Sequence, residues 1–228
     1  MNVDPSPSAQ DDVRKKVDLI VYDLDGTLID SADDIVRAVN HTLKELKLKP
    51  RTIEEVRTFI GEGVQSLVKK SLGEEQEIHF NKALMTLRAY YWDHLLDHTK
   101  CYPGVEDILN FFSKKKQAVV TNKPEKYSVK ILEGLGILKF FSAVIGGDSV
   151  VTKKPSPEGV FRLLNDLKIK PDRALIVGDS AIDIETGKNA KILTCAVTYG
   201  LGNQEAILAA KPDFKISRIE KLKNLFSD

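Results

Sequence analysis

The chain has 228 residues, of which 42% are hydrophobic and 29% charged, with a formal net charge of +1. That length suits one sizeable core plus a smaller accessory unit, in an ordinary soluble globular composition. The near-neutral balance gives no whole-molecule reason to bind nucleic acid or an anionic membrane, and no apolar run approaches the ~20 residues of a membrane helix.

Residues 1–15 are expected to form a disordered leader, since 1–12 are polar, carry Pro5 and Pro7, and lack the apolar stretch of a secretory signal. Residues 17–24 follow as a mostly apolar, β-branched and aromatic run, short enough for a strand buried on both faces of a parallel sheet. Asp25, Gly26 and Thr27 end it at a turn.

From residue 31 to residue 100 the pattern is helical. Ile35, Val36, Val39, Leu43 and Leu46 recur at helical spacing, as do Ile53, Val56 and Ile60, with further helices over 64–72 and 78–96. No strand interrupts this stretch, which reads as an all-helical insertion into a core made of residues 16–30 and 101–228.

After Tyr102-Pro103-Gly104 the pattern alternates. Helices over 105–116, 126–135, 157–167 and 183–190 alternate with strands over 118–121, 143–145, 174–177 and 193–197, and 214–216 adds a last short strand. Such alternation predicts a doubly wound parallel α/β sheet with helices on both faces. Ligands of such sheets bind outside the carboxyl ends of the strands.

Polar residues stand at those ends: Asp23 and Asp25, Thr121 and Asn122, then Asp179 and Asp183, with Lys154 in the loop after the 143–145 strand. Carboxylates gathered at one edge repel unless a cation or shared proton relieves them. A hard divalent ion with oxygen ligands, of which magnesium is the type that keeps waters and meets phosphate, is the natural partner. Taken singly, each segment also suits a solvated turn or a helix cap.

Taken together, Asp23-Leu24-Asp25-Gly26-Thr27-Leu28, Thr121-Asn122-Lys123-Pro124, Lys154-Pro155 and Gly178-Asp179-Ser180-Ala181-Ile182-Asp183 resemble the haloacid dehalogenase-like superfamily, within it the phosphoglycolate phosphatase-like branch. The resemblance runs from Val17 to about Tyr199, and the helical insertion falls where that family carries a cap.

The resemblance implies a nucleophile at Asp23, attacking phosphorus to form an aspartyl phosphate, and an acid/base at Asp25. It implies magnesium held by Asp23, the Asp25 carbonyl, Asp179 and Asp183. Phosphate oxygens would meet Thr121, Lys154, and backbone amides near Leu24, Asp25 and Asn122. Lys153 competes with Lys154, which is favoured because it directly precedes Pro155, as in the family motif. Haloacid dehalogenases lack the second carboxylate, so Asp25 points to an oxygen leaving group and a phosphatase.

Gly61-Glu62-Gly63 resembles the branch's cap loop, where Glu62 or a nearby polar group would meet the substrate; a plain helix–helix turn is the other reading. His94 and His98 share the spacing of zinc ligands without a third. Tyr90, Tyr91 and Trp92 read as packing. One departure is Lys191, where the family usually has a helix-capping glycine.

The expected substrate is a small phosphorylated metabolite, 2-phosphoglycolate first, acted on by a cytoplasmic monomer or homodimer that binds neither nucleic acid nor membrane. A β-phosphoglucomutase-type mutase, an inorganic pyrophosphatase and a catalytically silent binding module are the alternatives.

Overall fold

The computed structural model describes residues 15–227. Six parallel strands form its central sheet: β1 (Leu19–Tyr22), β4 (Lys116–Val120), β5 (Ala143–Ile145), β6 (Ala174–Gly178), β7 (Leu193–Val197) and β8 (Phe214–Ile216). Their spatial order is β5-β4-β1-β6-β7-β8. The chain moves outward from β1 in one direction, crosses back, and builds the other half. The carboxyl end of β1 therefore lies at the reversal of strand order, where open α/β sheets hold their ligands.

All four residues of β1 are buried, which requires a covered layer on each face. Alternate residues divide between two hydrophobic clusters. Ile20 and Tyr22 join Val119, Leu175 and Val177 on one face, while Leu19 and Val21 join Ala118, Val120 and Ile176 on the other. Helix α7 (Glu158–Leu167) covers the second face through Val160, Leu163 and Leu164. Each fully buried aliphatic side chain of this kind contributes about 1.5–3 kcal/mol relative to exposure. The buried Tyr22 hydroxyl donates to Gln117 Oε1 at 3.1 Å, and Gln117 Nε2 donates to the Leu109 carbonyl at 3.0 Å, so this face buries no orphan there.

Between β1 and β4 the chain forms α1 (Ala32–Glu45), α2 (Ile53–Phe59), α3 (Val64–Leu72), a 3₁₀ turn (Gly73–Glu75) and α4 (Gln76–His94). Thr52 and Glu55 close α2 with a capping box. The buried stripe Ile35, Val36, Val39 and Leu43 of α1 belongs to the same cluster as Ala83, Leu87 and Tyr91 of α4, and α1 and α4 are in contact.

Two dipeptide strands, β2 (Ile29–Asp30) and β3 (Lys100–Cys101), pair antiparallel where the chain leaves and re-enters the core. The sequence shows only linkers there. The buried Asp34 carboxylate accepts from the His98 and Thr99 amides and from Thr99 Oγ1, tying the first turn of α1 to the returning chain.

Elsewhere the elements are α5 (Val105–Phe111), α6 (Glu125–Gly134), α8 (Ala181–Asn189) and α9 (Gln204–Ala209). The helix expected to reach residue 116 stops at Phe111, because the Lys116 amide is drawn onto the Asp18 carbonyl beside β1. Helix α9, absent from the sequence reading, is capped by Asn203 Oδ1 accepting from the Ala206 amide at 2.9 Å. Lys15, placed in the leader by the sequence, bridges to Phe226; residues 1–14 of that leader lie outside the described residues. Among the described residues no helix is long and apolar enough to cross a membrane.

Candidate active site

The sheet register delivers the site. The Asp23 amide donates to the Val177 carbonyl at 2.9 Å and the Thr121 amide to the Ile145 carbonyl at 3.0 Å, so both residues leave the carboxyl edge in line with their strands. Asp179 follows β6 directly, and Asp183 lies in the first turn of α8.

Asp23, Asp179 and Asp183 are buried and bring one oxygen each within 4.8 Å of one another, the one such cluster of potential metal ligands among the described residues. Lys154 Nζ donates to Asp23 Oδ1 and to Asp183 Oδ1, both at 2.6 Å. Lys153 instead donates to the Glu62 carbonyl, so Lys154 is the lysine that reaches the cluster. The other Asp183 oxygen accepts from the Ser180 amide and hydroxyl, closing a capping box on α8. The ordinary helix-cap reading and the functional one thus share a residue.

Asp179 is held by groups the sequence reading missed. Thr27 Oγ1 donates to Oδ1 at 3.1 Å, and the Leu201 and Gly202 amides donate to Oδ2 at 2.7 and 3.1 Å. Gly26 has φ 85°, and a Cβ there would lie 2.1 Å from Asp179 Oδ2; one on Gly202 would lie 1.9 Å from the Asp179 carbonyl. Glycine is required at both places so that two loops can close on one carboxylate. The Gly200-Leu201-Gly202 spacing just beyond β7, at the same sheet edge, was the available signal.

Asp25 is not part of that cluster. Lys123 Nζ donates to its Oδ1 at 2.6 Å, and Ser31 Oγ donates to the same oxygen. Thr121 Oγ1 accepts from the Lys123 amide at 3.2 Å. Asn122 Nδ2 donates to the Gly61 and Lys154 carbonyls at 3.0 and 3.2 Å, joining the helical segment to the loop that carries Lys154, while Asn122 Oδ1 is buried without a hydrogen-bond partner among the described residues. Leu24 is wholly buried in the core, which leaves only its backbone for the site.

A cavity of ≈ 70 Å³ lies over these residues. Asp23, Asp25, Thr121, Asn122 and Lys123 line its floor, and Ile35, Phe59, Ile60, Val64 and Leu87 line its roof. Gly61 and Gly63 line it too, but Glu62 does not. The Glu62 carboxylate accepts from Ser66 Oγ and Lys70 Nζ at 2.6 and 2.8 Å, and these bonds hold it below the usual carboxylate range. Of the expected cap-loop contacts, the glycines reach the cavity and the glutamate does not. Nor do the histidines form a metal pair: His94 Nδ1 meets Asp97 at 2.7 Å and its ring stacks on Tyr90.

Charge is what makes the floor unusual. Burial raises Asp179 to about 8, with Asp23 and Asp183 adding repulsion. Burial raises Asp23 to about 6 against the pull of Lys154. Burial works against the Lys154 and Lys123 ammonium groups, but Asp183 and Asp23 outweigh it for the first, and Asp25 and the Tyr91 hydroxyl for the second, so both are raised. Carboxylates that hold protons near neutral pH are short of positive charge. The all-oxygen donor set fits a hard cation.

An acidic cluster at the reversal point of a parallel sheet, with two buried lysines beside it, is an arrangement suited to holding a hard cation and an anionic group together. Residues 20–197 match the family model for haloacid dehalogenase-like hydrolases, and the chain belongs to that family. It is 39% identical to the phosphoglycolate phosphatase of Aquifex aeolicus over 212 residues, covering 92% of this chain and 97% of that one. It is 36% identical to the phosphoglycolate phosphatase of Pseudomonas putida, over 90% of this chain and 78% of the relative. The crystal structure of a predicted phosphoglycolate phosphatase from Haemophilus somnus superposes with a TM-score of 0.87 at 30% identity, over 91% of this chain and 97% of the other.

Proposed function

We propose that this chain is a magnesium-dependent phosphatase that hydrolyses a small phosphate monoester, 2-phosphoglycolate first among them, through a phosphoryl group carried on Asp23. The observation that carries this reading is the division of labour at the end of β1. Asp23 joins Asp179, Asp183 and Lys154, whereas Asp25, two residues on, is turned to Lys123 and Ser31 beside the cavity.

In this mechanism an Asp23 carboxylate oxygen attacks phosphorus while the bond to the leaving oxygen breaks. Asp25 donates the proton that the leaving alkoxide takes up. Water then attacks the aspartyl phosphate, Asp25 accepts its proton, and inorganic phosphate departs with Asp23 regenerated. Thr121, the Asn122 amide and Lys154 orient the non-bridging oxygens. Magnesium, held by Asp23, Asp179, Asp183 and the Asp25 carbonyl, supplies charge neutralisation between carboxylate and phosphate when bound.

The cavity of ≈ 70 Å³ is far below the roughly 300–1,000 Å³ of drug-sized sites and supports a substrate of few atoms. The phosphoglycolate phosphatase names of the relatives supply the leading candidate. Residues 31–100 serve as a cap on the β2–β3 hinge, excluding water during the reaction and reopening for product release.

The test is magnesium-dependent phosphate release from a panel of 2-phosphoglycolate, sugar phosphates, nucleotides and pyrophosphate, by wild type and by Asp23→Asn. The expected result is turnover by wild type and background release by the variant. Equal release by both would sink the nucleophile assignment.

A further inference from the structure

Two polar side chains of α4, Arg88 and Tyr91, stand among the apolar groups of the cavity's roof, and packing does not explain the second. Tyr91, on α4, is 6% exposed and lines the cavity, and its buried hydroxyl finds no hydrogen-bond partner of good geometry among the described residues, although it lies close enough to the Lys123 ammonium to interact with it. A tyrosine needed only for packing would find a partner for that group or be served as well by phenylalanine.

Beside it stands Lys123, 8% exposed, with Nζ 5.1 Å from the Tyr91 ring centroid. An ammonium group has three donors, and Asp25 Oδ1 at 2.6 Å takes one of them. A hydroxyl from the helical segment and an ammonium from the β4 end therefore meet in the cavity with donors to spare.

Their position says which part of a substrate they face. Lys154 stands with Asp23 on the phosphoryl side, and Lys123 stands with Asp25, which by the mechanism above meets the leaving oxygen. Groups next to Asp25 belong to the alcohol half of the ester. A neutral hydroxyl there would leave the ammonium charge without a new partner. A carboxylate offers two acceptor oxygens and a charge, and so serves both donors.

We infer that Tyr91 and Lys123 form a carboxylate subsite that recognises the acid end of the leaving group and selects phosphorylated hydroxy acids over plain alkyl phosphates. The inference rests on the phosphatase reading and extends it to specificity.

The experiment compares kcat/KM for 2-phosphoglycolate with that for ethyl phosphate, which keeps the two-carbon ester and lacks the carboxylate. Wild type is expected to prefer the acid strongly. Tyr91→Phe is expected to lower that preference by about ten- to a hundred-fold, the range of one charge-assisted hydrogen bond. Lys123→Met also touches Asp25, so only the same ratio is read from it, and that ratio is expected to fall too.

Thermal unfolding separates this role from a structural one: removing an unpartnered buried hydroxyl leaves Tm unchanged or raised. A wild-type preference near one, or an unchanged preference in Tyr91→Phe, overturns the subsite while leaving the phosphatase standing. A clear drop in Tm for Tyr91→Phe also overturns it, because the hydroxyl would then have a structural partner. Failure of wild type to hydrolyse any ester overturns both readings.

Discussion

Replacing Lys191 by glycine should make the protein more stable. Lys191 follows α8 with φ 58°, in the left-handed region where the family motif usually has glycine. Its amide donates to the Lys188 carbonyl and the Ile192 amide to the Gly187 carbonyl, both at 3.0 Å, the paired bonds of a Schellman ending. The same pair closes α1 through Lys47 and Leu48 and α7 through Lys168 and Ile169, again with lysine at positive φ. Helix α6 closes the same way through Gly136 and Ile137 and serves as the internal reference.

A left-handed L-residue costs about 1–2 kcal/mol. Glycine returns about 0.5–1 kcal/mol of that through the greater freedom of the unfolded chain, and loss of a cation near the helix end removes about 0.3 kcal/mol more. The net gain is about 0.5 kcal/mol per site. All three lysines are exposed, so no packing is lost. The sites are separate, and the triple variant Lys47→Gly, Lys168→Gly, Lys191→Gly should gain about 1.5 kcal/mol, or roughly 3–6 °C in Tm. Urea midpoints at constant m, with Lys191→Ala as control, read the effect. If alanine stabilises as much as glycine, backbone conformation is not the cause.

Two further outcomes follow from the site. Asp25→Asn should slow hydrolysis of an alkyl phosphate by about 10²–10⁴-fold, yet give a burst of about one equivalent of nitrophenolate from p-nitrophenyl phosphate, whose leaving group needs no proton; a slow release without a burst would remove Asp25 from the acid role. Magnesium should raise Tm more at pH 8 than at pH 6, since burial holds Asp23 near about 6 and Asp179 near about 8. The native metal-free protein binds more protons than the unfolded chain between the unfolded carboxylate pKa and these values, so its stability falls as pH rises through that window. A bound cation relieves the cost, and an equal Tm shift at both values would count against it.

How much of this was legible in the sequence depended on how local the cause was. The strand ends Asp23, Thr121 and Asp179 could be read because a buried parallel strand is a short apolar run and its polar successor lies at the ligand edge. Lys154 could be chosen over Lys153 by its neighbour Pro155. Features set by distant partners could not. Glu62, in the loop before α3, turns to Ser66 and Lys70 of that helix and away from the cavity, an orientation that Gly61-Glu62-Gly63 does not encode. The β2–β3 pair is two residues long on each side, below any periodicity, and exists because Ile29 and Cys101 are brought into register by the elements between them. Tyr91 belongs to an aromatic triplet that reads as packing, and only the missing partner of its hydroxyl sets it apart.

The two buried lysines make sense of the acidic residues as one system. Asp23, Asp25, Asp179 and Asp183 bring four carboxylates to the β1 end, while Lys154 and Lys123 bring two ammonium groups, one on each side of it. Fully ionised, the set retains two negative charges in a buried place. The fold has two ways to answer them: it can take up protons, toward which burial pushes Asp179 and Asp23, or it can hold one divalent cation in the oxygen cluster. The cation is the answer compatible with chemistry, because a protonated Asp23 cannot attack phosphorus. Metal dependence in this reading therefore follows from the charge balance of the site as well as from the needs of the phosphate. The lysine distribution also separates the adjacent carboxylates: Lys154 ties Asp23 to Asp183, and Lys123 holds Asp25 beside the cavity, as the proposed mechanism requires.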